Sequence, residues 1–300
     1  MSEYNGPGIA FDVGGFDPMR IQPVRHELMA HPLLQLPKLV ELARRLPTVR
    51  YHDDRAEPNT SFTDAPRTHR VDLPPHEVVA NIENAHAWLA LHNIQNDQEY
   101  RGLVDEVLDH LRPRVETRDP GMHHRAGWIF VTSPHALTPY HMDHEHNFIL
   151  QVRGTKTINV WDPLDREVVT ERSLELFHHD YSRELVVYQE EFQARAHVFD
   201  VKPGMGAYMP LTSPHLVKNG PDVSITVSFT YYTSETRRRE MLHKVNHRLR
   251  SIGLQPRPVG SRPVVDSAKY HLVSRFDQAK RILSKVVGRK SRPIDVTYAE

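Results

Sequence analysis

The densest run of chemistry-bearing side chains is Thr138-Pro-Tyr-His141-Met-Asp143-His144-Glu145-His146-Asn147. On an extended strand, residues i and i+2 share a face, so His141 and Asp143 offer an imidazole and a carboxylate to one ion. A third ligand must come from another strand. His215 is the leading candidate, because it follows Tyr208-Met-Pro-Leu-Thr-Ser-Pro214 at a strand edge. Two imidazoles and one carboxylate on one face of an octahedron leave three positions open, the arrangement used by non-haem Fe(II) oxygenases. Other groupings are read as structural. His144 and His146 fall on the face opposite Asp143, whereas Glu145 lies on the ligand side, in reach of a substrate. The trio His178-His179-Asp180 is expected in a loop, and His135 in a turn.

These residues have to be held by strands. From Ala126 onward, short β-branched or aromatic runs recur at Trp128–Thr132, Asn147–Val152, Lys156–Trp161, Leu185–Tyr188, His197–Val201, Gly206–Met209 and Val223–Tyr232. Gly, Pro, Asp and Asn separate them, which is the pattern of an antiparallel sandwich or barrel. The fold expected is mainly β with helical additions: a double-stranded β-helix, or jelly roll, over 121–233. Residues 1–120 form a mixed segment packing on it. Within that segment helical periods span 31–46 and 100–111, Trp88–Ile94 reads as a strand, and 52–75 as a polar loop. Residues 234–300 form a basic helical region. Its apolar stripes are Leu242, Val245, Leu249 and Ile252, then Leu272, Phe276, Ala279, Leu283 and Val286, with Asp266 capping the second and Gly288 ending it.

Composition narrows the function classes. With no cysteine there are no disulfides, thiolate metal sites or cysteine nucleophiles, so any metal relies on carboxylates and the 21 histidines. No stretch approaches the roughly 20 apolar residues of a membrane-spanning helix. The first residues lack a basic stretch followed by an apolar core, so no secretory signal is expected and the reading is cytoplasmic. Charge is uneven: residues 1–233 carry 22 Lys+Arg against 32 Asp+Glu, whereas 234–293 carry 16 against 4. The basic residues alternate with apolar ones at helical spacing and lack the stacking aromatics of a single-strand nucleic-acid binder. The tail stripes then pair on the core or on a second copy of the chain.

The motifs from Trp128 to Tyr232 resemble the JmjC-type, cupin-fold oxygenases that use Fe(II) and 2-oxoglutarate. They are most similar to the subgroup of the asparaginyl hydroxylase that inhibits hypoxia-inducible factor. The likeness rests on Thr138-Pro-Tyr-His141-Met-Asp143, Asn147-Phe148 and Gly154-Thr-Lys156, then Lys202-Pro-Gly204, Tyr208-Met-Pro210, His215 and Ser224–Tyr231. It implies that His141, Asp143 and His215 bind Fe(II), that Lys156 pairs with the distal carboxylate of 2-oxoglutarate while Thr138 hydrogen-bonds it, and that Asn147 lies near the chelating end. A lysine facing a barrel interior also needs an anion on physical grounds. Met205 and Ser213-Pro214 depart from the family pattern, and Ser228 stands where the asparaginyl hydroxylase has an asparagine near iron. The activity implied is hydroxylation of a C–H bond of a protein side chain or small molecule, consuming O2 and releasing succinate and CO2. The likeness also implies a homodimer through the C-terminal helices. Two other classes compete: a metal-binding cupin-like protein without turnover, and an adaptor that binds anionic partners through the basic tail.

Overall fold

The computed structural model describes residues 6–11 and 15–286, with side chains to Arg275. Among them, an eight-stranded and a four-stranded antiparallel sheet carry the architecture. The strands are β1 (Ala10–Phe11), β2 (Gln22–Arg25), β3 (Val49–Asp53), β4 (Ala87–Leu91), β5 (His123–Thr132), β6 (Leu137–His141), β7 (His146–Arg153), β8 (Lys156–Val160), β9 (His197–Val201), β10 (Met205–Met209), β11 (His215–Asn219) and β12 (Ser224–Tyr232). The large sheet runs β1-β2-β10-β7-β12-β5-β4-β3 and the small one β6-β11-β8-β9. The protein is therefore mostly β, a jelly-roll core with helical additions, as the sequence predicts.

The large sheet is covered on both faces, and strand alternation decides what each face meets. From β7 and β12, Phe148, Leu150, Val227 and Phe229 join the main apolar core. That core also takes residues from the helices α1 (Leu36–Arg45), α3 (Pro75–Ala80) and α4 (Gln98–Arg118), which with α2 (Ala65–Thr68) follow or precede the N-terminal strands. The alternate residue Ile149 packs with Ile158, Val160 and Val217 of the small sheet, between the sheets. Each fully buried aliphatic side chain of this kind contributes about 1.5–3 kcal/mol. α4 starts at Asp97, whose carboxylate accepts from the Glu99 and Tyr100 amides. It runs through Pro113 to Arg118, seven residues past the expected end.

Two further expectations are corrected. Leu185–Tyr188 is irregular backbone rather than a strand: Leu185 and Val187 are about half exposed, while Val186 and Tyr188 pack on Tyr140, Trp161 and Leu216. The helical period at 31–46 is interrupted by Pro32 and Pro37, and the chain forms a short 3-10 turn, Pro32–Leu34, before α1.

The chain divides into two compact units, Met1–Thr170 with Arg183–Thr236, and Glu171–Ser182 with Arg237–Glu300. The second is helical, built from α5 (Glu171–Asp180), most of α6 (Ser234–Ser251) and α7 (Pro263–Val286). His178-His179-Asp180 thus ends a helix, not a loop. In this unit Glu175 is fully buried and accepts from Arg250 Nε and Nη2, both at 2.9 Å. Asp266 lies inside the first turn of α7, where it accepts from the Gly260 amide at 2.8 Å, so the helix begins before it. The stripe positions Phe276, Ala279, Leu283 and Val286, and Gly288, lie outside the described residues and side chains. Among those described, no helix is long and apolar enough to cross a membrane.

Candidate metal centre and its cavity

His141 and His215 are direct cross-strand neighbours on β6 and β11. The next matched pair is Thr138 with Val217, so β6 spends three residues where β11 spends two. This is a β-bulge at Pro139-Tyr140, and it is what puts Thr138 and His141 on one face despite their odd spacing. The bulge also fixes the first imidazole: His141 Nδ1 lies 2.7 Å from Pro139 O, and His215 Nδ1 lies 3.1 Å from Ser213 O. Each Nδ1–H donates to a backbone carbonyl, which leaves each Nε2 lone pair free to point inward.

Asp143 comes from the turn after β6, not from strand alternation as the sequence suggests. Its carbonyl accepts from the Thr212 amide at 2.8 Å, and its Oδ2 lies 3.7 Å from the Nε2 of both His141 and His215. Among the described residues, these three form the group whose ligand atoms all fall within 4.8 Å of one another, a spacing that could hold a metal ion. Burial, then the neighbouring His215, push the His141 pKa down to about 3. Burial alone would raise Asp143, but His141, His215 and Arg183 together hold it below the usual carboxylate range. A neutral imidazole beside an ionised carboxylate is the protonation state a divalent cation requires. Phe62 stacks flat on His141, centroids 4.1 Å apart and planes 6° apart, and closes one wall.

The cluster opens on a small cavity between the sheets. Every sequence-predicted site residue lines it: Thr138, His141, Asp143, Asn147, Lys156, His215 and Ser228. Lys156 opens β8 after a turn at Gly154, whose φ of 72° and close approach to Val223 O exclude a side chain. It is 4 % exposed, and no carboxylate or hydrogen-bond acceptor meets its ammonium among the described residues. Burial alone pushes its pKa down to about 7. Asn147 Oδ1 and Ser228 Oγ are buried without a hydrogen-bond partner. Thr138 Oγ1 accepts from Trp88 Nε1 at 2.8 Å, which leaves its own O–H to donate into the cavity. A buried cation and orphaned polar atoms beside a three-ligand cluster fit a metal ion together with a small dianion.

Glu145 also lines the cavity, as its placement on the ligand side predicts. Burial, then the Asp143 charge, push its pKa up to about 7, and the Tyr232 hydroxyl donates to it at 2.9 Å. The remaining candidates go elsewhere. His146 is fully buried, 2.7 Å from the Tyr208 hydroxyl, and His144 is half-buried outside the cluster. Trp88, Phe62 and Arg183 were not readable as site residues. Trp88 lies on a wholly buried strand whose one polar atom needs a partner, the signal that could have marked it. Arg183, with Nη2 3.8 Å from Asp143 Oδ1, and Phe62 sit on loops without periodicity.

Several solved structures are similar to this chain at low identity. YcfD, a ribosomal oxygenase from Escherichia coli, is 14% identical over 94% of this chain and 62% of that one, with a TM-score of 0.41. Its complex with cobalt and 2-oxoglutarate is 15% identical over 90% and 64%, with a TM-score of 0.43. An oxalate decarboxylase variant from Bacillus subtilis is 12% identical over 49% and 26%, with a TM-score of 0.26. The chain thus spans less than two thirds of these proteins, and about a quarter of the decarboxylase. No curated protein matches it. The profile of the cupin-like domain matches residues 40–237, well over half of the sequence, and the chain belongs to the cupin-like domain family.

Proposed function

We propose that this protein is an Fe(II)- and 2-oxoglutarate-dependent oxygenase that hydroxylates a C–H bond of a protein side chain or a small molecule. One observation carries the reading: a buried lysine without a counter-ion shares a cavity with two inward Nε2 lone pairs and an ionised carboxylate. His141, Asp143 and His215 would hold iron, leaving room for co-substrate and O2. When bound, the metal and 2-oxoglutarate supply the oxidising chemistry, with release of succinate and CO2. The chain's own part is placement. Lys156 neutralises the distal carboxylate of the dianion, and the Thr138 hydroxyl donates to it. Asn147 and Ser228 offer polar atoms nearer the metal ligands. Phe62, Trp128 and Phe130 are the apolar walls that keep water from the reacting centre.

The direct test is succinate formation from 2-oxoglutarate by the Fe(II)-loaded protein, with Asp143→Ala as control. Succinate that is unchanged in the variant overturns the reading. Metal and 2-oxoglutarate binding without any succinate would instead support a binding protein. We also propose self-association through α7, where Val264 and Leu272 are 83% and 73% exposed. Sedimentation should show a dimer that Val264→Glu with Leu272→Glu converts to monomer.

A further inference from the structure

β3 is an edge of the large sheet, with β4 as its ladder partner. Its even-numbered residues face β4: Thr48 O accepts from His92 N, and Asp54 N donates to His86 O. The alternate residues must therefore aim their N–H and C=O outward. Asp53 does so, donating to His69 O at 2.8 Å. Val49 and Tyr51 aim the same way, yet their amides and carbonyls meet no protein partner among the described residues. They open on a groove lined also by Arg50 and by residues of the 66–74 segment.

The groove is cationic. Arg50, Arg67 and Arg70 line it against one carboxylate, Asp72. Arg70 pairs with Asp72 at 2.9 Å, and Arg67 lies 3.9 Å from Asp64, both exposed pairs of little strength. Arg50 has no carboxylate within ion-pair distance. It donates to the Phe62 carbonyl, its guanidinium carbon is 4.6 Å from the Phe62 ring, and burial with the Arg183 charge pushes its pKa down to about 10.

We propose that the β3 edge docks an extended acidic segment of another polypeptide, which pairs with Val49 and Tyr51 and sets a carboxylate against Arg50 from the facing cross-strand position. Of the common ligand classes, an extended backbone supplies donors and acceptors alternating at the strand rise of about 3.3–3.4 Å. Strand addition then gives affinity through the main chain, and alternate side chains give selectivity.

Fluorescence anisotropy with the full chain tests this and needs neither metal nor co-substrate, so it stands apart from the oxygenase reading. The probe is a labelled octapeptide alternating Glu and Val. It should bind saturably, with at least a tenfold loss when Lys replaces Glu, and with loss on N-methylation of one alternate set of amides but not the other. Tyr51→Pro removes an outward N–H without touching the ladder to β4 and should weaken binding at least tenfold. Arg50→Gln should abolish the preference for Glu over Lys, and it serves if the proline variant fails to fold. Absent binding, equal affinity for both peptides, or indifference to N-methylation overturns the proposal. So does a dimer mass that drops in Tyr51→Pro, which would assign the edge to a second copy.

Discussion

Histidines and carboxylates crowd two regions, the cavity between the sheets and the helical unit of α5 and α6, but they are spent differently. In the cavity, both Nδ1 atoms are tied to backbone carbonyls and both Nε2 atoms lie 3.7 Å from Asp143. In the helical unit, the rings face each other. His178 stacks on His243 at 5.1 Å and 10°, and His179 on His247 at 4.0 Å and 29°. Glu175 there is claimed by Arg250. Histidine density therefore says little about metal binding. What matters is lone pairs that converge because each ring's second nitrogen is restrained.

Removing one ligand is the strongest way to break this contrast. His141→Ala or Asp143→Ala should abolish stoichiometric binding of Fe(II) or Mn(II), and cost more than the roughly 10–100-fold typical of losing an outer hydrogen bond. His178→Ala should leave the metal content unchanged. Elemental analysis of dialysed protein reads both, and a loss of metal in the His178 variant would erase the distinction.

The helical cluster should answer in stability instead. Arg250→Ala deprives the fully buried Glu175 of its bidentate partner and leaves it the half-exposed Arg172 at 3.4 Å. Breaking a buried pair in this way costs about 3–5 kcal/mol. Denaturant unfolding followed at the helical signal should show that loss, while metal binding in the cavity persists. Stability within about 0.5 kcal/mol of the parent would mean that the pair is not structural.

How much of this was legible beforehand follows from which forces are local. Strand periodicity and breakers gave the jelly roll, because alternation is written residue by residue, and the motif Thr138 to Asn147 with His215 placed the cluster. The failures are non-local or irregular. The bulge at Pro139-Tyr140 depends on register against β11, which no single strand encodes. Leu185–Tyr188 has strand-like residues, but the Tyr188 backbone bonds to the Asn59 side chain instead of joining a ladder. Phe62 and Arg183 reach the site from loops, where side-chain type alone carries no direction. The trio His178-His179-Asp180 reads as loop, whereas it ends α5.

Lys156 sharpens the contrast through pH. The folded, ligand-free protein releases this proton near pH 7, whereas the unfolded chain holds it to the ordinary 10.5. Between those values the unfolded state binds more protons, so this residue makes stability rise with pH; below about 7 both states are charged and its contribution is flat. Lys156→Met should remove the rise. Binding of 2-oxoglutarate at pH 8 should restore the charge and take up close to one proton, seen by calorimetry in buffers of different ionisation enthalpy. Lys156→Ala should raise the 2-oxoglutarate requirement about 10–100-fold, the 1.4–2.8 kcal/mol expected for a charge-assisted pair. Proton-neutral binding would mean that the lysine is already charged and partnered otherwise.

The smallest expected effect separates the two roles a polar group can have in this cavity. Ser228 Oγ is buried with no hydrogen-bond partner, and such a group costs the fold about 1–3 kcal/mol. Ser228→Ala should therefore stabilise the ligand-free protein by about 1 kcal/mol in thermal or denaturant unfolding, unlike a typical core substitution. The same change should weaken 2-oxoglutarate binding only a few-fold, since one neutral hydrogen bond is worth about 1 kcal/mol. A destabilised variant with unaltered co-substrate affinity would make Ser228 a packing residue of β12 and leave the polar work of the cavity to Lys156, Thr138 and Asn147.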